Sequence, residues 1–147
     1  MGAPGDPVPG CPFCAIVTGA ARAHVVLDEP DVVGFLDVRP VFPGHVLVVP
    51  REHHVVLADL PDRLLAPLFG AVRRVSLAVV EALGAEGSFV ANNNVVSQSV
   101  LHLHVHVVPR RRKDGLRGFF WPRVSYASEN EAADCAARLR DHLAGSR

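Results

Sequence analysis

Apolar and polar positions alternate strictly from Leu101 to Val107 in the stretch Leu101-His102-Leu103-His104-Val105-His106-Val107-Val108-Pro109. Successive side chains of a strand point to opposite faces. The stretch therefore reads as a strand from Leu101 to Val108, with His102, His104 and His106 on one face and Leu103, Val105 and Val107 on the other. Shorter apolar runs bounded by turn residues predict four more strands: Val25–Leu27, Val32–Asp37, His45–Val49 and Ser88–Ala91. The second and third of these are joined by the Pro/Gly-rich loop Arg39–Gly44, which suggests an antiparallel pair.

From Leu60 to Leu83 the period changes to three and four residues, through Leu64, Leu65, Leu68, Val72, Val75, Val79 and Leu83. This predicts one long helix with an apolar stripe. Asp59 is its candidate N-cap, Pro61 suits the first turn and Gly84 the stop; Pro67 predicts a later start or an irregular first turn. Cys11–Thr18 predicts a short helix. Ser128-Glu129-Asn130-Glu131 has the pattern of a capping box, starting a last helix that runs to about Leu143. Asn92-Asn93-Asn94 predicts a turn, because asparagine tolerates left-handed backbone. The elements add up to an α+β fold, an antiparallel sheet of about five strands with one long helix and short flanking helices. Residues 1–10 read as a disordered lead-in and 11–147 as a single domain.

Composition narrows the picture. A chain of 147 residues that is 49% hydrophobic can build a core without disulfides. Fifteen basic and fifteen acidic residues cancel, so nucleic acid is not an expected partner. No apolar run is long enough to span a membrane, and the N-terminus lacks the pattern of a secretion signal. Three cysteines, two of them in Cys11-Pro12-Phe13-Cys14, point to a reducing compartment such as the cytoplasm and to a metal or thiol role. Arg110-Arg111-Arg112-Lys113 is either a solvated turn or a phosphate- or partner-facing one, and Phe119-Phe120-Trp121 concentrates aromatic residues.

The histidine row is the sharpest chemical feature. At a rise of about 3.3 Å per residue it is roughly 13 Å long, the scale of a nucleoside phosphate rather than of one ion. It fits two chemistries. One is a three-histidine metal site that activates water. The other is nucleophilic catalysis, in which a neutral imidazole nitrogen attacks phosphorus while its neighbours hold its tautomer and bind phosphate oxygens.

The segment His102-Leu103-His104-Val105-His106-Val107-Val108 resembles the His-φ-His-φ-His-φ-φ signature (φ hydrophobic) of the histidine triad (HIT) family, in its nucleotide hydrolase and transferase branch. The resemblance runs from about Cys11 to Trp121 and includes Phe13-Cys14-Ala15-Ile16, Phe35-Leu36-Asp37-Val38-Arg39-Pro40, Pro43–His53 and Gln98-Ser99-Val100. It implies that His104 is the nucleophile, forming a nucleotidyl-histidine at the α-phosphate. By the same resemblance His102 orients His104, His106 contacts the phosphate and leaving group, and His45 stands behind the triad. Asp37 would accept from both ribose hydroxyls, Phe13, Ile16 and Phe35 line the base pocket, and Asn93, Gln98 and Ser99 hold the ribose-phosphate and leaving-group side.

A structural zinc on Cys11, Cys14, His53 and His102 is also implied, with no organic cofactor, as is a homodimer formed through the long helix and an edge strand. The expected substrates are purine nucleotides, AMP derivatives such as phosphoramidates or dinucleoside polyphosphates. The chain departs from the family pattern at Asn94-Val95-Val96-Ser97-Gln98, a link that is shorter than usual and lacks glycine. Two other readings stand beside the hydrolase. One is a nucleotide-binding regulatory module with vestigial catalysis, and the other a three-histidine zinc hydrolase. Cys135 is expected to be a packed thiol, and His24, His54 and His142 surface residues.

Overall fold

Alternation along the strands sorts the apolar residues of this chain onto two sides of one sheet. The computed structural model describes residues 2–116 and 123–145, so Phe119-Phe120-Trp121 lies outside the described residues. The described residues fall into two compact units, divided between Asp114 and Gly115.

The first unit holds α1 (Pro12–Val17), β1 (Val25–Asp28), β2 (Val32–Leu36), β3 (Val46–Pro50), a 3-10 turn (Leu57–Asp59), α2 (Asp62–Glu81), β4 (Gly87–Ala91) and β5 (Val105–Arg110). The strands form an antiparallel sheet in the order β1-β2-β3-β5-β4. In β3, Val46 and Val48 join Val105, Val107 and Leu103 in a core under α2, whereas Leu47 and Val49 pack with Phe13, Val33 and Phe35 under α1. Both faces are covered, which is why β2 and β3 read as nearly unbroken apolar runs.

Helix α2 buries Leu64, Leu68, Ala71, Val72, Val75 and Val79, spaced as its period requires. Burial of Leu64 and of Leu68 contributes roughly 1.5–3 kcal/mol each. The helix starts at Asp62 and runs straight through Pro67, so Pro61 rather than Asp59 occupies the N-cap position. One hydrogen bond to the carbonyl of Arg63 is lost at Pro67, and the packing of six buried side chains outweighs it. Leu65 and Leu83, expected on the apolar stripe, are exposed. Leu83 lies beyond the helix end, against Gly44. That glycine has φ +95°, and an added Cβ would come within 2.4 Å of Leu83 Cδ1, so no other residue fits there without a shift.

Two expectations are corrected. The fifth strand starts at Val105, not at Leu101. Residues 101–104 keep their alternation without a ladder, because their backbone groups are taken from elsewhere. The Leu103 N–H donates to the His54 carbonyl (2.6 Å), and Asn92 Nδ2 donates to the His104 carbonyl (3.1 Å). The left-handed residues after β4 are Val95 (φ 69°) and Ser97 (φ 61°), not the asparagines. Residues 2–10 carry a turn closed by Asp6 N–H to Ala3 C=O, and Gly5 pairs with His53.

The second unit contains α3 (Glu129–Gly145), whose first turn is capped by Ser128 Oγ accepting from the Glu131 N–H. Cys135, on this helix, is partly buried.

Candidate active site and Cys/His cluster

A cleft of about 700 Å³ opens beside β2, β3 and β5 and is lined by Phe13, Ile16, Phe35, Asp37, Ser99, His104 and His106, all singled out from the sequence. This volume is that of a small-molecule site. The β-strand pleat explains the placement of its chemistry. His106 sits opposite Leu47 in the β3–β5 register and opposite Ala91 in β4–β5, so its ring emerges on the α1 side of the sheet. His104, two residues earlier, follows on the same side, where its ring stacks edge-on against Phe13 with centroids 5.1 Å apart.

Three histidines have their tautomers set by backbone groups. His104 Nδ1 lies 2.7 Å from the His102 carbonyl. A carbonyl only accepts, so Nδ1 carries the proton and Nε2 keeps its lone pair. His102 Nε2 lies 2.9 Å from the Pro50 carbonyl, which by the same reasoning leaves its Nδ1 as the lone-pair nitrogen. The Val41 N–H donates to His45 Nδ1 (3.1 Å). His45 therefore carries its proton on Nε2 and donates it to His106 Nδ1 (2.9 Å), leaving His106 with an Nε2–H as its other nitrogen. The 3.8 Å approach of Asp37 Oδ2 to His45 Nδ1 is not an ion pair, because that nitrogen already accepts from Val41.

Burial, reinforced by the charges of His104 and His45, pushes His106 down to about 4, against a smaller upward pull from Asp37. Burial also lowers His45, and Asp37 opposes it. Both rings are thus neutral at pH 7, as the chain of hydrogen bonds requires.

His102 does not line the cleft. It is fully buried, its ring 6.0 Å from that of Phe13 on the same α1 side, and it belongs to a second constellation. The lone-pair Nδ1 of His102 lies 3.6 Å from Cys11 Sγ and 3.5 Å from Cys14 Sγ, and His53 Nδ1 lies 3.2 Å from Cys14 Sγ. A tetrahedral zinc with Zn–S near 2.3 Å and Zn–N near 2.0–2.1 Å implies S···N edges of about 3.6 Å. The donor set and its spacing fit such an ion. Helix α1 presents the cysteines: Cys11 is its N-cap, with Sγ accepting from the Cys14 N–H, and Cys14 lies one turn on. The Pro50 carbonyl on the far nitrogen of His102 is the outer hydrogen bond that a ligating histidine uses to fix its orientation. Burial lowers His102 to about 4 and lowers His53, so both imidazoles are neutral, as ligation requires. The rings of His102, His104 and His106 do not converge on one point, which removes the geometric basis for a three-histidine metal site.

Among the other residues singled out from the sequence, His45 is buried behind His106. Gln98 does not line the cleft; its Oε1 accepts from the Val95 N–H (2.9 Å) and its Nε2 donates to the Val55 carbonyl (2.6 Å), so it staples the glycine-free loop. Asn93 is exposed and away from the cleft lining. Its neighbour Asn92 grips the His104 carbonyl, a role that the run of three asparagines did not single out. His54, expected at the surface, is buried and bonds through Nε2 to Glu52 Oε2 (3.1 Å), while Arg63 makes a bidentate pair with Glu52. That pair holds Glu52 down at about 2. The basic turn is internally paired through Arg110 to Asp114 and Arg112 to Glu86.

A HIT domain profile matches residues 18–113. An uncharacterised HIT-like protein of Saccharolobus solfataricus is 40% identical over 122 residues, covering 81% of this chain and 88% of that one. An adenosine 5′-monophosphoramidase of Schizosaccharomyces pombe is 31% identical over 121 residues, with coverage of 81% and 88%. A zinc-bound histidine triad protein from Mycobacterium smegmatis superposes with a TM-score of 0.70 at 36% identity, covering 92% of this chain and 97% of its own. No helix among the described residues is long and apolar enough to cross a membrane.

Proposed function

This chain belongs to the HIT family, and on that premise we propose that it is a nucleotide hydrolase or transferase that cleaves at the α-phosphate of purine nucleoside phosphoramidates or dinucleoside polyphosphates. The observation that carries the reading is the hydrogen bond from His104 Nδ1 to the His102 carbonyl, which makes Nε2 the nitrogen that presents a lone pair in a nucleotide-sized cleft. A relative whose name is adenosine 5′-monophosphoramidase supports the substrate class.

In the proposed reaction His104 Nε2 attacks the α-phosphorus as the bond to the leaving nitrogen or oxygen breaks. The product is a nucleotidyl-imidazolium whose positive charge is stabilised through Nδ1–H on the His102 carbonyl. The His106 Nε2–H, on a ring that is neutral at pH 7, donates a hydrogen bond to a phosphate oxygen, and the departing nitrogen or oxygen takes its proton from water. Water then attacks phosphorus on the second step and His104 is released. Asp37 would hold the ribose, and Phe13, Ile16 and Phe35 the base.

Cys11, Cys14, His53 and His102 would hold a structural zinc, which ties α1 to the end of β3. Through His102 the same cluster would fix the backbone carbonyl that orients the nucleophile. The exposed Leu65, Phe69 and Leu77 on α2, together with the open edge of β4, support pairing of two copies through that face. Free cysteines suit a cytoplasmic protein.

The test is turnover of adenosine 5′-phosphoramidate and of diadenosine polyphosphates by His104→Ala. We expect activity to fall by at least about 10³-fold, as for loss of an activated nucleophile, with nucleotide binding retained. Full activity in this variant refutes the mechanism, and binding without turnover in the unmodified protein favours a regulatory module.

A further inference from the structure

No buried apolar side chain orders residues 2–8: Gly5 is half-buried and the others are exposed. Hydrogen bonds order them instead, and these run to the Cys/His cluster. A turn is closed by the Asp6 N–H on the Ala3 carbonyl (3.0 Å) and by the Ala3 N–H on Asp6 Oδ2 (2.7 Å). Inside it Gly5 pairs antiparallel with His53, whose N–H donates to the Gly5 carbonyl (2.9 Å). Val8 makes two bonds. Its carbonyl accepts from the Cys11 N–H (3.1 Å), and its N–H donates to Cys14 Sγ (3.3 Å). Each sulfur of the pair thus has a backbone donor, the Cys14 N–H for Cys11 and the Val8 N–H for Cys14. The first donor is part of α1 itself, whereas the second comes from the segment before it. Pro4, Pro7 and Pro9 reduce the freedom that this segment gives up on ordering. Gly5 sits at φ +93°, and an added Cβ would come within 2.9 Å of Glu52 Oε2, on a carboxylate already held by Arg63 and His54.

We infer that residues 3–8 are a strap belonging to the metal site: it seats on His53, supplies Cys14 with its outer hydrogen-bond donor, and must lift for the zinc to exchange. This rests on the structural zinc proposed above and adds to its four ligands a part that none of them supplies. Zinc is held by the thiolate form of cysteine, and a backbone N–H aimed at sulfur stabilises that charge. Outer partners of this kind fix the ligand and are worth about 10–100-fold in metal affinity. The strap reaches three of the four ligand residues, His53 through Gly5 and both cysteines through Val8. The fourth, His102, has its own outer partner in the Pro50 carbonyl. With the strap seated, each of the four is tied to backbone beyond its own side chain.

The experiment is competition for zinc between the full chain and a chelating pyridylazo dye, run on the unmodified protein, Val8→Pro, Val8→Ala and Gly5→Ala. Val8→Pro removes the N–H and keeps the carbonyl. Val8→Ala keeps both, and the side chain it trims is 44% exposed, so no core is disturbed. Gly5→Ala leaves Val8 in place and unseats the strap from His53, through the left-handed φ and the contact with Glu52. Val8→Pro and Gly5→Ala are expected to hold zinc at least about tenfold less tightly than the unmodified chain, and to release it to excess dye at least about tenfold faster. Val8→Ala should stay within about threefold on both measures. Affinity and release that stay within about threefold in both Val8→Pro and Gly5→Ala overturn the inference and leave the zinc reading intact. A loss in Val8→Ala equal to that in Val8→Pro overturns the assignment to the N–H. An unmodified chain that takes up no zinc overturns the inference together with the reading it rests on.

Discussion

Replacing His45 tests whether a backbone amide outside the cleft sets the proton inventory inside it. The Val41 N–H fixes His45 as an Nε2 donor, and that donor fixes His106 as an Nε2–H. In His45→Leu the His106 Nδ1 is left without its partner in a mostly buried setting. The cost of an unsatisfied buried group of this kind is about 1–3 kcal/mol. Val41 adds little, since it is about half exposed and its amide finds water. At roughly 2–4 °C per kcal/mol for a chain of this size, Tm should fall by about 2–12 °C. Turnover should fall further than stability implies. With nothing to hold the proton on Nε2, the ring is free to carry it on Nδ1, where it cannot donate into the cleft. A hydrogen-bond donor aimed at charge that develops in the transition state is worth about 10²–10³ in rate, and part of the population keeps the active tautomer, so kcat should drop by about 10–10².

His45→Gln is the control, because a carboxamide offers both an acceptor for Val41 and a donor for His106. It should lose less than about 1 kcal/mol and recover most of the rate. Nitrogen-15 spectra of the histidine side chains read the His106 tautomer directly, alongside Tm and kcat on adenosine phosphoramidate. The reasoning is refuted if His45→Leu keeps both kcat and the Nε2–H tautomer. It is equally refuted if His45→Gln is as damaged as His45→Leu, since ring volume and not the hydrogen-bond chain would then be what matters.

Three further outcomes follow from particular residues. Protein purified without added metal should carry about one equivalent of zinc by elemental analysis, and Cys14→Ser should lose it with a fall in Tm; well under one equivalent in the unmodified chain counts against the site. Folding stability should decline on acidification. His106 has a pKa of about 4 when folded and 6.5 when free, so between those values the unfolded chain binds the extra proton; the stabilisation is complete above pH 6.5 and lost as pH falls toward 4, by roughly 2 kcal/mol after allowing for partial exposure, and urea midpoints that are flat across this window would contradict it. Val95→Gly should stabilise. Its left-handed φ of 69° costs about 1–2 kcal/mol in a non-glycine residue. The side chain is 73% exposed. Glycine gives back about 0.5–1 kcal/mol in unfolded-chain entropy, so a net gain of about 0.5–1 kcal/mol is expected in thermal denaturation.

Much of this was legible in the chain because the signals are periodic. The two-residue period marked the strand that carries the histidines, apolar runs bounded by turn residues marked the other four, and the three-to-four-residue period marked α2 to within a few residues of its ends. The cleft residues Phe13, Ile16, Phe35, Asp37, Ser99, His104 and His106 were named beforehand because each stands in a local motif. What was not legible depends on hydrogen bonds between segments distant in sequence. Alternation placed His102, His104 and His106 on one face, but only the Leu103 N–H on the His54 carbonyl and the Asn92 amide on the His104 carbonyl show where the ladder stops. Gln98 looked like a substrate contact, yet the absence of glycine between Asn94 and Gln98 leaves the loop strained at Val95 and Ser97, and the Gln98 side chain bonds to backbone on both sides of it. His54 looked like a surface residue because its partner Glu52, and the Arg63 that pairs with Glu52, come from β3's exit and from α2.

The division of labour among the three histidines is a backbone property before it is a side-chain one. Identical rings on alternating positions have identical intrinsic chemistry, so something outside the rings must tell them apart. Two carbonyls and one amide do it. The Pro50 carbonyl accepts from Nε2–H of His102, which holds the proton there and turns the lone pair toward Cys11 and Cys14. The His102 carbonyl accepts from Nδ1–H of His104, which leaves Nε2 as the nucleophilic nitrogen. The Val41 amide, acting through His45, leaves His106 as a donor. These groups cannot be altered by side-chain substitution at their own positions, apart from proline at Val41, which removes its N–H. The distinction between ligand, nucleophile and donor is therefore carried by the path of the chain at β3's exit, at the stretch before β5 and in the β2–β3 loop. A cluster of Cys11, Cys14, His53 and His102 at the first of these points holds the His102 ring, and with it the carbonyl on which the nucleophile depends.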